Sequence, residues 1–509
     1  MHRKEGRVPY FLLWSSDVTA RVINFHIRLL FNIPLQRQHG ELDGQHRIEQ
    51  WLGQLAYRAV DSKANDSHPT WLRAVTTACL GYDVDHSSLL HCLRNIGFAM
   101  TFGIFQDAYS RQQVVKGAGT ATGVIGTTMF VSTIYTDDRR NGVMYLSMPF
   151  LATALGRDRW APWRRTVAIV GTLLASASFL VSSWSTDVWH LILLQGVLAA
   201  FGNTMLYTPT TLWLDEWFRD GNRATAYGIQ FSIKNIVGTA CPFLMYGLLD
   251  ELGFRNALRV WAGLVLIIGL GGIALVPLPP ASARRRQRKI PWSFLKHQTF
   301  YIYAIANIIF SSGYGLPQTY LPTYASQYLH LPAAENSAMI AFFNAPGILS
   351  CTGFGLLHDK VHLSATNNTL ISAVGSALCV FLLWGIKSNT VPGLLIAFAL
   401  GFGFFASGYS STWGGWITDL EKEAAEHNEA INSGMLYGFM NGARGIGYVV
   451  GGLSGVELLK AGPVQNSQWA LGTKYGGLIL FTGISSALGG WSVAWKRWSC
   501  LKRPSIAVR

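Results

Sequence analysis

The sequence is short of charge. Asp, Glu, Lys and Arg make up 13% of its 509 residues, about half the share of an ordinary soluble domain, which argues against a long soluble enzyme. Acid is the scarcer sign, with 27 Asp and Glu against 41 Lys and Arg and a net charge of +14. Cysteine is sparse too: Cys79, Cys92, Cys241, Cys351, Cys379 and Cys500 show no spacing for a metal site or a disulfide framework. Cys241, Cys351 and Cys379 fall inside apolar runs, where free buried thiols are the default. There is no Walker loop, zinc spacing or nucleophile elbow, which argues against ATP drive, hydrolysis and a bound cofactor. Gly117-x-Gly119-x-x-x-Gly123 has glycines like those of a nucleotide loop, but no strand precedes it and the spacing is wrong.

What the chain has is apolar sequence. Half of its residues are hydrophobic, and they gather in runs of about 20, the length that crosses a bilayer core as a helix. Residues 1–88 hold no run long enough to span and no signal-peptide pattern, and are expected to form a cytosolic tail. Apolar segments then recur at 89–109, 117–155, 166–184, 188–212, 224–248 and 255–279, and again at 299–323, 335–357, 368–386, 391–414, 431–455 and 475–495. The expected fold is all-α and membrane-integral, with twelve transmembrane helices in two six-helix halves at 89–279 and 299–497. A basic cytosolic linker at 280–298 joins the halves and a cytosolic tail at 498–509 follows them.

The positive charge gives the orientation. It lies in short connectors: Arg157, Arg159, Arg164 and Arg165; Arg219 and Arg223; Arg284, Arg285, Arg286, Arg288 and Lys289; and Lys496, Arg497, Lys502 and Arg503. All fall on one side of the spans, the pattern of cytosolic loops rather than of a nucleic-acid footprint. Both termini are therefore expected in the cytosol, with the plasma membrane as the host bilayer. The loop at 418–430 dissents, since Asp419, Glu421, Glu423, Glu426 and Glu429 make it acidic, but acids weigh little in that rule. Asn65 and Asn367 head glycosylation sequons on the same side, so neither is expected to carry a glycan.

One segment conflicts with the bilayer. The second run is interrupted by Asp137, Asp138, Arg139 and Arg140, and each such charge at mid-depth costs about 2.5 to 3.5 kcal/mol. Joining Met129 directly to Gly142 gives roughly 27 apolar or small residues, enough to span with tilt. Residues 130–141 are therefore expected to be an insertion looped out of the second helix, as a retained intron would be.

The connector after the second span reads Gly156-Arg157-Asp158-Arg159-Trp160-Ala161-Pro162-Trp163-Arg164-Arg165, and Gly355-Leu356-Leu357-His358-Asp359-Lys360 sits at the matching place after the eighth. This pair of loops resembles the signature of the major facilitator superfamily. Trp217-Phe218-Arg219-Asp220-Gly221-Asn222-Arg223-Ala224-Thr225-Ala226-Tyr227-Gly228 is similar to the matching connector of its monocarboxylate porters, especially the fungal ones. The resemblance covers 97–498 and implies the major facilitator fold and proton-coupled transport by alternating access. It also implies a cytoplasmic latch from Asp158 and Arg159, with Arg164, Arg165, Asp359 and Lys360 in the same gating loops.

The residues themselves supply a binding hypothesis. Lys234 lies near the middle of the fifth span and Arg444 near the middle of the eleventh, and such intramembrane charges are functional candidates by default. Sliding one half over the other so that Asn222 meets Asn432 also pairs Tyr227 with Tyr437, Gly228 with Gly438, Lys234 with Arg444 and Ile236 with Ile446. The two cations thus share one register, and parallel repeats of this kind place their substrate site at the midplane between halves. With no acid at that depth, the partner such a cavity calls for is a small or medium organic anion. Arg444 could grip its carboxylate in two-pronged fashion, and Lys234 would act as a point charge able to give up its proton in a dehydrated site. Each cation also fits a packing role against the backbone of a neighbouring helix. Asn203, Tyr207, Tyr314 and Gln318 fit a cavity lining or interhelical glue, and Asp107 a proton site or a water-exposed helix end. Export of an acidic secondary metabolite, or a non-transporting sensor on the same scaffold, are the other readings.

Overall fold

Every described element is helical. The computed structural model describes residues 137–157, 159–218, 222–275, 292–429, 431–464 and 469–496. The expected tail, the first span with Asp107, and Asp158 lie outside the described residues. The second span is α1 (Asp137–Leu155) and the third α2 (Arg164–Ser182). The fourth, α3, runs through Val188–Leu191, a π segment Ile192–Leu198 and Ala199–Trp217. The stretch Arg223–Leu275 is broken at Gly253, whose φ of 70° divides it into α4 (223–252) and α5 (254–275).

The second half follows in the same manner. It comprises α6 (Gln298–Tyr328), α7 (Ala333–Asp359), and α8 (Ala365–Leu378 with a π segment Cys379–Trp384). The tenth span is split into α9 (Pro392–Ser411) and α10 (Trp413–Glu426), and α11 (Ser433–Ala461) and α12 (Gly476–Leu488) complete the bundle. Pro209, Pro242, Pro317, Pro322 and Pro346 all lie inside helices. In a bilayer a helix tolerates this, because neighbouring helices and Ser or Thr side chains satisfy the freed carbonyls. Cys241, Cys351 and Cys379 are free thiols in the interior.

The looped-out insertion is corrected at its described end. Asp137 to Asn141 are helical and continuous with the rest of α1, while 130–136 lie outside the described residues. The 19 described residues of α1 extend about 28 Å.

The halves meet along two seams that are repeat mates of each other. In the first, α4 lies against α7: the Ser232 hydroxyl is 2.7 Å from the Ile348 carbonyl and from the Thr352 hydroxyl, and Asn235 Nδ2 donates to Cys351 Sγ at 3.3 Å. In the second, α1 lies against α11, with Ala152 and Pro149 filling the space beside Gly438 and Gly442. Within membranes such interhelical hydrogen bonds contribute only about 0.6 kcal/mol each, so close backbone approach carries the packing. Gly228 shows how close: a Cβ placed there would fall 2.5 Å from the Cys351 carbonyl oxygen.

Gly228→Ala is therefore expected to destabilise the fold by about 1 to 3 kcal/mol through overpacking, read as a lower melting temperature in detergent. Gly247→Ala, on the same helix but with nothing within 4 Å of the added carbon, should not lower it. Equal melting temperatures for the first variant and the parent would refute the tight crossing.

Candidate functional site

The guanidinium of Arg444 is buried, at 3% exposure for the residue, and is held by rings. Its Cζ lies 5.3 Å from the ring centroid of Tyr448, 5.4 Å from Tyr314, and 5.5 Å from Tyr145 and Trp413. Nη1 donates to the Ser410 hydroxyl at 2.7 Å, and Nε and Nη2 donate to the Tyr448 hydroxyl at 3.3 and 3.0 Å. Among the described residues no carboxylate pairs with it. A guanidinium has five N–H donors, so two remain beyond those three bonds. Cation–π contact with four faces stands in for the water the charge has left.

Lys234 converges on the same place from the other half. Its Nζ lies 5.6 Å from the centroid of Tyr314, so the cations of α4 and α11 share one ring supplied by α6. Tyr207 of α3 joins the cluster through Tyr145, with ring centroids 6.4 Å apart. Asn203 stands one turn from Tyr207 and Gln318 one turn from Tyr314. Asn203 Oδ1 and Gln318 Nε2 are buried atoms with no hydrogen-bond partner among the described residues. Sequence reasoning found both cations and Tyr314 but missed Tyr145, Trp413, Tyr448 and Ser410. Tyr448 alone carried a legible signal, four residues after Arg444 and so on the same helix face.

The expected latch between Asp158 and Arg159 lies outside the described residues. Arg159 and Lys360 are exposed, and Arg159 has no ion pair among the described residues. Arg164 donates to Glu216 at 2.7 Å and to the Leu155 carbonyl at 2.9 Å, and Arg165 to the Ile273 carbonyl at 3.3 Å, all inside their own half. Among the described residues named for gating, Asp359 reaches across, accepting from the backbone N–H and hydroxyl of Thr225 at 2.8 and 2.7 Å. A charged contact between the halves is made by Arg223, 2.8 Å from Glu421 of α10 and 3.3 Å from Asp215 of α3. Asp215 also accepts from the Ser433 hydroxyl at the start of α11, at 2.7 Å.

The acids at 418–430 are counter-charges for this end of the bundle. Besides Glu421, Asp419 accepts from Lys496 at 2.8 Å and from the Tyr303 hydroxyl at 2.9 Å. His297, capping α6, lies 3.1 Å from Glu423 through Nδ1 and 3.0 Å from Glu429 through Nε2. Its hydrogen bond holds the Glu429 carboxyl below the usual carboxylate range.

The comparisons with known proteins bear on this arrangement. The profile of the Major Facilitator Superfamily matches residues 141–452, and the chain belongs to that family. The agnestins efflux protein AgnL12 of Paecilomyces divaricatus is 24% identical over 405 residues, 79% of this chain and 84% of that one. Monocarboxylate transporter 11 of Homo sapiens is 30% identical over 172 residues, 33% of this chain and 36% of that one. The crystal structure of the human organic anion transporter MFSD10 (TETRAN) aligns with a TM-score of 0.55 at 13% identity, over 79% of this chain and 98% of that one. The protein is thus a multi-pass membrane transporter of small molecules, similar to fungal MFS-type transporters, and not an enzyme.

The lowered carboxyl of Glu429 sets a pH dependence. A group so shifted contributes stability above its unfolded-state value and loses it as the pH falls through the folded-state value. Glu429→Gln should accordingly melt below the parent near pH 7, with the gap narrowing below about pH 4. A gap that stays constant on acidification would show that the His297 contact contributes nothing through Glu429.

Proposed function

We propose that the protein carries a small or medium organic anion across the membrane by alternating access, with a proton moving alongside it. Lys234 and Arg444 would bind the anionic group. The observation that carries this reading is that two cations, one from each half, meet over the single ring of Tyr314. Arg444 is bonded only to neutral groups among the described residues, so its charge is solvated without being cancelled. An incoming carboxylate can take two parallel hydrogen bonds from a guanidinium and gains most where water is excluded. Proton movement with the anion, on the substrate's own carboxyl or on Lys234, would let the loaded and empty carrier turn over without dragging bare charge through lipid.

The Arg223 latch supports the view that this state is shut at the end carrying the basic loops, which the positive-inside rule puts in the cytosol. The plasma membrane is the proposed location, with both termini cytosolic. Export of an acidic metabolite through the same site is the second reading, favoured by the efflux relative.

Uptake of labelled carboxylates into proteoliposomes under an imposed pH gradient tests the reading. Lys234→Ala and Arg444→Ala should each reduce flux by at least about tenfold, the loss of roughly 1.4 kcal/mol of binding. Arg444→Lys should be impaired as well, because an ammonium lacks the planar fork. Unchanged kinetics in Arg444→Lys would remove the two-pronged grip, and unchanged kinetics in both alanine variants would remove the site.

A further inference from the structure

One pair of repeat mates is left unused by the anion site. Tyr227 of α4 and Tyr437 of α11 are both fully buried, and they meet face to face with ring centroids 4.3 Å apart and planes 7° from parallel. Residues related by the repeat can stack on each other only where the pseudo-twofold axis passes between them. In a carrier built from parallel repeats that axis runs along the membrane normal, through the region where the halves meet.

Depth fixes what the pair separates. Tyr227 lies four residues inward of Arg223, about 6 Å along the helix, and seven residues short of Lys234, about 10 Å. Tyr437 stands at the equivalent distance from Arg444. The order along the axis is therefore charged latch, ring pair, cations. The latch alone is a poor seal, because carboxylate and guanidinium groups hydrogen-bond readily to water. Two parallel ring faces in contact leave neither room nor a partner for it. The pair is braced on both sides: Trp413 stands edge-on to Tyr437 at 5.7 Å and 63°, and the Tyr227 hydroxyl lies 3.5 Å from Asp215, the acid that the latch shares.

We propose that the Tyr227–Tyr437 stack is the barrier that closes the transport path toward the basic-loop end, and that it seals that path without help from the wetter Arg223, Asp215 and Glu421 contact beside it. For substrate to leave or enter on that side the rings must part, and because each belongs to a different half, the rocking of the halves parts them.

The test uses the full chain with its native cysteines replaced by alanine and one reporter, Lys234→Cys, beyond the rings. A membrane-impermeant, charged methanethiosulfonate reagent is applied to sealed vesicles from the basic-loop side, identified by a second reporter at the exposed Lys360. Labelling of position 234 should be slow in the parent and at least tenfold faster when Tyr227→Ala and Tyr437→Ala are combined. It should stay slow in the double phenylalanine variant, which keeps both rings, and in Arg223→Ala, which loosens the latch but leaves the stack. Tyr437→Leu, which keeps bulk but not the flat face, gives the same reading if the double alanine variant does not purify as a single species. Unchanged labelling without the rings, or equally fast labelling in Arg223→Ala, overturns the proposal. The readout needs no substrate, so its outcome is separate from that of the anion reading.

Discussion

A guanidinium deep in an apolar bundle must find a substitute for water, and the arrangement around Arg444 is dictated by that need. Four rings and two hydroxyls supply it. They are drawn from α1, α6, α9, α10 and α11, so one charge sets where five helices stand. Tyr145 comes from the first half, so the solvation of a cation in one half depends on the other half being close. A carboxylate partner would have satisfied the same charge with one side chain and cancelled it. Aromatic faces satisfy it and leave it available.

The basic-loop end is organised by the opposite principle. There positive groups meet acids: Asp215 and Glu216 on α3, and four on the short helix α10 and the loop after it. Glu421 reaches across to Arg223, Asp419 receives Lys496, and Glu423 and Glu429 flank His297. Such pairs are worth little one by one at a wet surface, but here they converge on one element from both halves.

The architecture could be read from the sequence because hydropathy and loop charge are local properties. Each apolar run became a helix wherever the chain is described, and the repeat register placed Lys234 and Arg444 together. What could not be read depended on partners distant in the chain. Tyr145, Trp413 and Ser410 share no spacing with Arg444, and only their meeting in three dimensions makes them a cage. The acids at 418–430 looked like an exception to a loop-charge rule because that rule counts residues and does not pair them. Whether Asp158 joins Arg159 lies outside the described residues, and Arg159 itself faces solvent.

The tenth span has a further property. Its hydrogen bonding tightens at Thr412, where the backbone N–H bonds to Tyr409, while the dihedrals stay helical and α10 continues the line of α9. Trp413, its first residue, lies over the guanidinium of Arg444, and Glu421, eight residues on and about 12 Å away, grips Arg223. One short helix therefore touches both the solvated cation and the ionic pair, so the spacing between the two is the length of a rigid rod.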